Sequence, residues 1–395
     1  MRVSIIGQGY VGLPLAVAAA KSGFEVDGID TDLDKIEKIM SDNSGISGFE
    51  SGLLNKLIEG NSYFCSSDFT RISLSEIVIF CVPTPLDSSD KPDLCILLDA
   101  INLVGKNLKK GMLVIIESTI APGTTSEILE PLLLKVAGLE SGDLDISYSP
   151  ERIDPMNSDW DVTNTPKLVA GLTASSLERS MGFYSKFIKE VIPVKSVKIA
   201  ETAKLLENSF RLVNISFINE MAVFCNKYGI DITEVIKAAS TKPYGFMPFY
   251  PSLGVGGHCI PVDPIYLSDK ANQVGTPITM IDKAHQINNE MPNYYVRRAG
   301  EKMNGLKGKQ ILILGLAYKP NISDTRESPV EPLINSLREE GAIVEWHDDL
   351  VGEWNGEKSV ALGVNYDLAI LATPHDYFDL SKLGNTPILD TRGSL

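Results

Sequence analysis

The sequence has no apolar run of the roughly 18 residues that would suggest a membrane span. It has no Cys-x-x-Cys pair, and its five cysteines (Cys65, Cys81, Cys95, Cys225, Cys259) are odd in number and widely spaced. That spacing argues against a disulfide framework and a cysteine-rich zinc site, and for a reducing compartment. Positive charge is in short supply, with 36 Lys and Arg against 51 Asp and Glu, for a formal net charge of −15. Neither nucleic acid nor an anionic membrane surface is therefore an expected partner. A phosphate-bearing ligand would have to be held by local donors against the overall field. The chain opens directly on a strand-like run, so no signal peptide is expected, and the expected location is cytoplasmic.

What is present is a soluble globular composition: 395 residues, 44% hydrophobic and 22% charged. A chain of this length predicts two or three domains, each able to bury a core. The stretch Gly254-Val-Gly-Gly-His-Cys-Ile-Pro-Val-Asp263 stands between two longer regular regions. Gly256-Gly257 followed so soon by Pro261 predicts a loop whose backbone can approach a ligand closely. Cys259 then sits at a turn. From this stretch alone it reads either as a small buried hydrophobe or as a nucleophile.

Arg2–Ile6 is a short β-branched run followed by Gly7-Gln-Gly9-Tyr-Val-Gly12, a helix-like segment, and a second strand ending in Asp30. A lone G-x-G-x-x-G says little. Here it follows a strand, opens a helix, and precedes an acid about 20 residues on, which completes a dinucleotide fingerprint. Gly7 makes the tight turn, Gly9 admits the pyrophosphate, Gly12 lets the helix lie close to the sheet, and Asp30 suits a ribose 2′-hydroxyl. Phosphates bind at the helix N-terminus without net positive charge. Because no arginine follows Asp30, NAD is expected over NADP.

Two further apolar strands end in turns carrying Thr84 and Thr119, and a third leads to Glu151-Arg152. In an open α/β sheet ligands bind beyond the carboxyl ends of the strands. Turn chemistry alone would also account for the two threonines. From Ile199 to Tyr228 the pattern becomes one long helix, apolar around most of its girth and expected to be buried. Lys204, Asn208 and Arg211 share a stripe on it, either a solvated edge or a face toward a ligand. After about residue 305 an α/β pattern resumes without G-x-G-x-x-G. Lys319 and Arg326, beside turns, could hold a nucleotide diphosphate.

The order of these pieces resembles the UDP-glucose/GDP-mannose dehydrogenase family. The likeness rests on Gly7–Gly12, Val82-Pro-Thr-Pro85, Glu117-Ser-Thr119, Ala203-Lys-Leu-Leu-Glu-Asn208, Gly256-Gly-His-Cys-Ile-Pro-Val-Asp263 and Gly315-Leu-Ala-Tyr-Lys-Pro320. It implies an α/β fold of two Rossmann-like domains with parallel sheets, joined by a central helical region with one long helix. The expected division is 1–198 for NAD, 199–304 for the helices and cysteine loop, and 305–395 for a UDP-sugar. It also implies a homodimer through the central helices. The family oxidises the C6 alcohol of a sugar nucleotide to a carboxylate in two NAD-dependent steps.

By the same resemblance Cys259 is the nucleophile, with Lys204, Asn208, Asp263, Thr119 and Glu151 as its catalytic partners. Cofactor contacts are expected from Gly7, Gly9, Tyr10, Val11, Gly12, Asp30, Lys35, Thr84, Thr119 and Arg326. Substrate contacts are expected from Glu151, Arg152, Lys204, Asn208, Arg211, Tyr250, Ser252, Gly256, His258 and Lys319. No metal is expected; a zinc site from His258, Cys259 and Asp263 is disfavoured because neighbours so close in the chain rarely converge on one ion. Val262 stands where UDP-glucose dehydrogenases carry lysine. His258 and Ser149-Pro-Glu-Arg-Ile-Asp-Pro155 are instead similar to the UDP-N-acetylhexosamine branch. UDP-N-acetylglucosamine is the expected substrate and UDP-N-acetylmannosamine or UDP-glucose the alternative, with Met156 a departure from the branch's usual glycine. Two rival classes are a two-electron hydroxyacid-type dehydrogenase and a nucleotide-binding regulatory protein with an inactive site.

Overall fold

The structure, a computed structural model, describes residues 1–44, 52–153, 157 and 159–393. Asp154, Pro155 and Met156 lie outside the described residues. The chain divides into two compact units, Met1–Leu206 and Glu207–Leu395.

The first unit is built on eight strands: β1 (Arg2–Ile6), β2 (Glu25–Ile29), β3 (Tyr63–Ser66), β4 (Ile77–Phe80), β5 (Leu113–Ile116), β6 (Asp145–Tyr148), β7 (Lys167–Gly171) and β8 (Val191–Pro193). Their order is β3-β2-β1-β4-β5-β6-β7-β8. Pairing is parallel from β3 through β6, reverses once between β6 and β7, and is parallel again to β8. The runs are apolar without alternation because both faces are covered. Ile5, Ile79 and Ile115 enter one core, while Ile6, Val78, Phe80, Val114 and Ile116 enter the other. The change of direction on either side of β1 and β4 leaves a crevice at their carboxyl ends, the ligand position of this topology.

The second unit carries β9 (Gln310–Leu314), β10 (Ile343–His347), the short antiparallel pair β11 (Glu353–Trp354) and β12 (Glu357–Lys358), then β13 (Leu368–Leu371) and β14 (Ile388–Asp390). The main sheet, ordered β10-β9-β13-β14, is parallel throughout. It repeats the opening move of the first unit. Gly7 follows β1 with φ of +90° and donates its N–H to Ile29 at 2.8 Å; Gly315 follows β9 with φ of +85° and donates to His347 at 2.9 Å. The residue after each glycine donates to the acid that closes the neighbouring strand: Gln8 to Asp30 and Leu316 to Asp348, both at 2.8 Å.

One helix, Val197–Tyr228, runs across the division between the units. It is not buried all round. Leu205, Leu212 and Cys225 are buried, but Leu206, Phe210, Phe217 and Phe224 are exposed on the single chain. The helix has two apolar faces, and the chain packs only one of them. A second long helix, Thr279–Met303, belongs to the second unit.

Candidate active site

In the first unit the glycine loop has the geometry that a dinucleotide needs. A Cβ on Gly12 would lie 1.8 Å from the Gly7 carbonyl oxygen, so the helix Gly12–Lys21 can start this close to the strand only with glycine there. A Cβ on Gly9 would meet nothing within 4 Å; that side of the loop is open. The helix Gly12–Lys21 starts just beyond the carboxyl end of β1, and a helix N-terminus so placed suits a pyrophosphate. Asp30 is buried; its carboxylate accepts from the N–H groups of Gln8 and Asp32 and from the Lys35 ammonium at 2.9 Å. Gln8 is itself fixed, donating to the Ile5 carbonyl and accepting from the Tyr63 hydroxyl at 2.7 Å. Lys35 thus reaches Asp30 directly. Tyr10 is exposed, and Val11 packs on the core.

The strand-end turns of β4 and β5 are tied to each other. The buried Thr84 hydroxyl donates to the Thr119 carbonyl at 2.7 Å, and Ser118 donates to the Val82 carbonyl at 2.7 Å. The Thr84 hydroxyl thus ties its own turn to the one that presents Thr119. Glu151 follows β6 and is half-buried. One of its oxygens accepts from the N–H groups of Arg152 and Ile153, and the other lies 3.4 Å from the Lys167 ammonium. The Arg152 guanidinium donates to the Pro166 carbonyl at 2.9 Å. Lys204 is buried on the long helix.

The second unit presents Cys259 in the loop that the glycines and Pro261 predict, and its side chain is exposed. The loop is held from several sides. The buried amide oxygens of Asn219 and Asn288, one on each long helix, accept from the N–H groups of Ser252 at 2.9 Å and Val255 at 2.7 Å. Gly257, with φ of +78°, donates to the Arg326 carbonyl at 3.1 Å, and a Cβ there would lie 2.8 Å from the Tyr318 ring. At Gly256 a Cβ would lie 2.6 Å from the Glu327 carbonyl oxygen. Both glycines are required by close packing, and Gly257 by its left-handed backbone as well.

Asp263 opens the helix Asp263–Gln273, donates its N–H to the Cys259 carbonyl at 2.9 Å, and is buried. Its carboxylate accepts from the Asn208 amide at 2.6 Å, in a position where the helix N-terminus favours negative charge. His258 is half-buried; burial, with the Arg326 cation adding to it, holds its pKa below the usual value. Arg326 forms a two-pronged ion pair with Asp324. Lys319 is half-buried, Ser252 is buried with its hydroxyl on the Gly254 carbonyl, and Arg211 and Tyr250 are exposed. Among the described residues no cluster of three or more His, Cys, Asp or Glu is arranged to hold a metal ion.

Three family profiles match in sequence: the NAD-binding domain of the UDP-glucose/GDP-mannose dehydrogenase family over residues 1–188, its central domain over 198–290 and its UDP-binding domain over 312–395. The chain belongs to that family. Its dinucleotide is NAD, which the Gly7–Gly12 loop and Asp30 fit. The chain is 35% identical over 403 residues to a UDP-N-acetyl-D-glucosamine 6-dehydrogenase of Pseudomonas aeruginosa, spanning 97% of this chain and 94% of the relative. It is 34% identical over 388 residues to a UDP-N-acetyl-D-mannosamine dehydrogenase of Pyrococcus horikoshii, spanning 96% and 90%. A solved structure of a UDP-D-ManNAc dehydrogenase from P. horikoshii superposes with a TM-score of 0.89 at 32% identity, covering 99% of this chain and 95% of that one.

Several residues that shape these sites carry no sequence signal that singles them out. Asn219 and Asn288 read as polar positions inside helices. Lys167 reads as an ordinary strand-leading lysine. Its buried contact with the Glu117 carboxylate, 50 residues away in sequence, is what marks it as special.

Proposed function

We propose that this protein is an NAD-dependent dehydrogenase that oxidises the C6 alcohol of a UDP-N-acetylhexosamine to the uronic acid. UDP-N-acetylglucosamine is the favoured substrate, and surface polysaccharide the destination of the product. The exposed Cys259 thiol, on a loop fixed by two helices and next to the Asp263–Asn208 pair, carries the four-electron reading. An alcohol–ketone dehydrogenase would have no use for it. The near-complete alignment with the P. aeruginosa relative supports the substrate class. UDP-N-acetylmannosamine is the second reading, supported by the P. horikoshii relative at almost the same identity.

In this reading the C6 hydroxyl gives its proton to a water held by Thr119, Lys204, Asn208 and Asp263. The Lys204 ammonium stabilises the developing alkoxide. NAD, when bound, accepts the hydride of each oxidation. Cys259 adds through sulfur to the aldehyde carbon, which retains a reactive intermediate and provides a thiohemiacetal that can lose a second hydride. Water then cleaves the thioester, with Glu151 and Asp263 as the candidate bases. Gly7, Gly9, Gly12, Tyr10, Val11, Asp30, Lys35, Thr84 and Arg326 serve the cofactor. Arg152, Arg211, Tyr250, Ser252, Gly256, His258 and Lys319 serve the sugar nucleotide. The division into 1–198, 199–304 and 305–395 and a cytoplasmic location belong to the same reading.

Leu206, Phe210, Phe217 and Phe224 recur at four- and seven-residue steps along the long helix and leave an exposed apolar stripe. A second copy of the same straight face, turned about a two-fold axis, would cover it, and we read the enzyme as a homodimer on this account. Light scattering of Phe217→Glu against the unmodified chain tests that; a species of unchanged mass would remove the dimer.

The deciding experiment measures NADH released from NAD and each of UDP-glucose, UDP-N-acetylglucosamine, UDP-N-acetylmannosamine and UDP-N-acetylgalactosamine. Two NADH per molecule of one N-acetylated sugar is the expected result. One NADH per molecule would overturn the thioester route. No release with any of the four would point to an inactive nucleotide-binding protein.

A further inference from the structure

The first unit holds a buried group of titratable side chains, Lys167, Glu117, Tyr184 and Cys81, that the reaction above leaves unused and that meets Glu151 through Lys167. Lys167, the first residue of β7, is buried, and its ammonium lies 2.9 Å from one oxygen of Glu117 and 3.4 Å from one of Glu151. Glu117 follows β5 and is itself buried; its other oxygen accepts from the hydroxyl of Tyr184, whose ring lies 5.2 Å from the Lys167 nitrogen. Cys81, after β4, is a further titratable neighbour, a buried thiol pushed well up by burial. Burial works to lower the Lys167 pKa, yet Glu117 and Glu151 together hold it above the ordinary value. Burial pushes the Glu117 carboxyl upward, with Lys167 opposing.

A buried ammonium shared by two carboxylates is costly to build unless each hydrogen-bonding position is filled. Here the filling is uneven. Glu117 is sealed, its side chain wholly out of reach of solvent, whereas the Glu151 side chain is 13% exposed, so Glu151 is the member of the group that can meet a reactant. One Glu151 oxygen is fixed by the N–H groups of Arg152 and Ile153 and the other by Lys167.

We propose that Lys167 is a positioning residue that aims the Glu151 carboxylate and supplies positive charge beside it, and that Glu117 sets how much of the Lys167 charge Glu151 feels. This rests on the reading of Glu151 as base for thioester hydrolysis. In that step the water oxygen bonds to the C6 acyl carbon, the C6–sulfur bond breaks, Cys259 leaves as thiolate, and the water proton passes to Glu151. The carboxylate must be charged beforehand. An opposite charge within about 4 Å favours the charged form; its removal leaves only the N–H groups of Arg152 and Ile153 to oppose burial. Neutralising Glu117 does the reverse, since the ammonium then serves Glu151 undivided.

The test is the decay of the acyl-enzyme. The full-length protein is mixed with NAD and whichever N-acetylated UDP-sugar yields two NADH, and the Cys259 adduct is followed by intact mass across pH. In Lys167→Met the adduct is expected to accumulate and the acid limb of its decay to move up by about one pH unit or more. Lys167→Arg should restore part of that shift, and Glu117→Gln should move the limb down. The opposed signs protect the test against general damage, and Glu117→Gln and Lys167→Arg keep it decisive where Lys167→Met does not fold. A limb that stays in place, or moves the same way in both neutralised variants, overturns the proposal. Glu151→Gln separates the two levels. Wild-type decay in that variant sinks the base reading itself; a stalled adduct there, with unmoved Lys167 and Glu117 variants, sinks only the role given to Lys167.

Discussion

Asn208 donates its amide to the carboxylate of Asp263 at 2.6 Å, joining the long helix to the start of the helix that follows the cysteine. The bond spans 55 residues of sequence and ends on a carboxylate that is 2% exposed. Removing a donor from a buried carboxylate costs about 1–3 kcal/mol. Asn208→Ala is therefore expected to lower the melting temperature by several degrees and to reduce kcat, whereas Asp263→Asn, which keeps a polar partner, should cost less stability than activity. Calorimetry and NADH kinetics on the two variants check this ordering.

Gly9 and Gly12 should respond differently to the same added methyl group. At Gly12 the methyl meets the Gly7 carbonyl oxygen at 1.8 Å, so Gly12→Ala should destabilise the first unit. At Gly9 it meets no protein atom within 4 Å. Gly9→Ala is expected to melt close to the unmodified temperature yet bind NAD more weakly, as titration calorimetry would show. A normal NAD affinity in Gly9→Ala would mean that the open side of the loop does not face the cofactor.

The two glycines before the cysteine make a similar contrast. In Gly257→Ala the methyl meets the Tyr318 ring at 2.8 Å, while in Gly256→Ala it meets the Glu327 backbone at 2.6 Å. Tyr318→Ala should rescue part of the stability lost in Gly257→Ala, leaving the strain of a left-handed alanine at about 1–2 kcal/mol. It should relieve Gly256→Ala much less, because the Glu327 carbonyl remains. Thermal melts of the two double variants decide.

Asp348 supplies a pH signature. Burial works against its charge, but hydrogen bonds from His375 and from the N–H groups of Leu316 and Ala317 bring its pKa down from 3.8 to about 2. A depressed folded value means that the unfolded chain takes up the proton first as pH falls. This share of stability, about 2 kcal/mol from a shift near two units, is complete above roughly pH 5 and lost as pH drops toward 2. The melting-temperature gap between the unmodified chain and Asp348→Asn should be full at pH 7 and close over that window.

How much of this was legible beforehand depended on how local the cause was. Gly7, Gly12 and Asp30 announce themselves because a tight turn, a close helix and a strand-end acid each leave a residue type at a fixed offset. Cys259 could be placed in a loop for the same reason. Lys167 could not be singled out, since its partners Glu117 and Tyr184 come from other elements and only the fold assembles them. The antiparallel step between β6 and β7 was equally hidden, because a five-residue strand buried between neighbours looks the same in either direction. The exposed phenylalanines of the long helix were misjudged because an apolar helix shows how much surface wants covering, without saying whether the same chain covers it.

Asp30 and Asp348 occupy corresponding places in two repeats of one strand–glycine–strand device, and their surroundings have diverged. Around Asp348 the ring nitrogen of His375 at 3.1 Å, the hydroxyl of Tyr377 at 3.1 Å and four backbone N–H groups saturate the carboxylate with the protein's own donors. The position at which a Rossmann unit ordinarily greets a ribose has here become a keystone. His375 in turn accepts from the Asn321 N–H at 2.9 Å, so the same acid steadies the segment that carries Tyr318 and Lys319. Grafting a dinucleotide site onto the second unit would therefore mean dismantling the support of the loop behind Cys259, a trade that a glycine-motif transplant alone would not reveal.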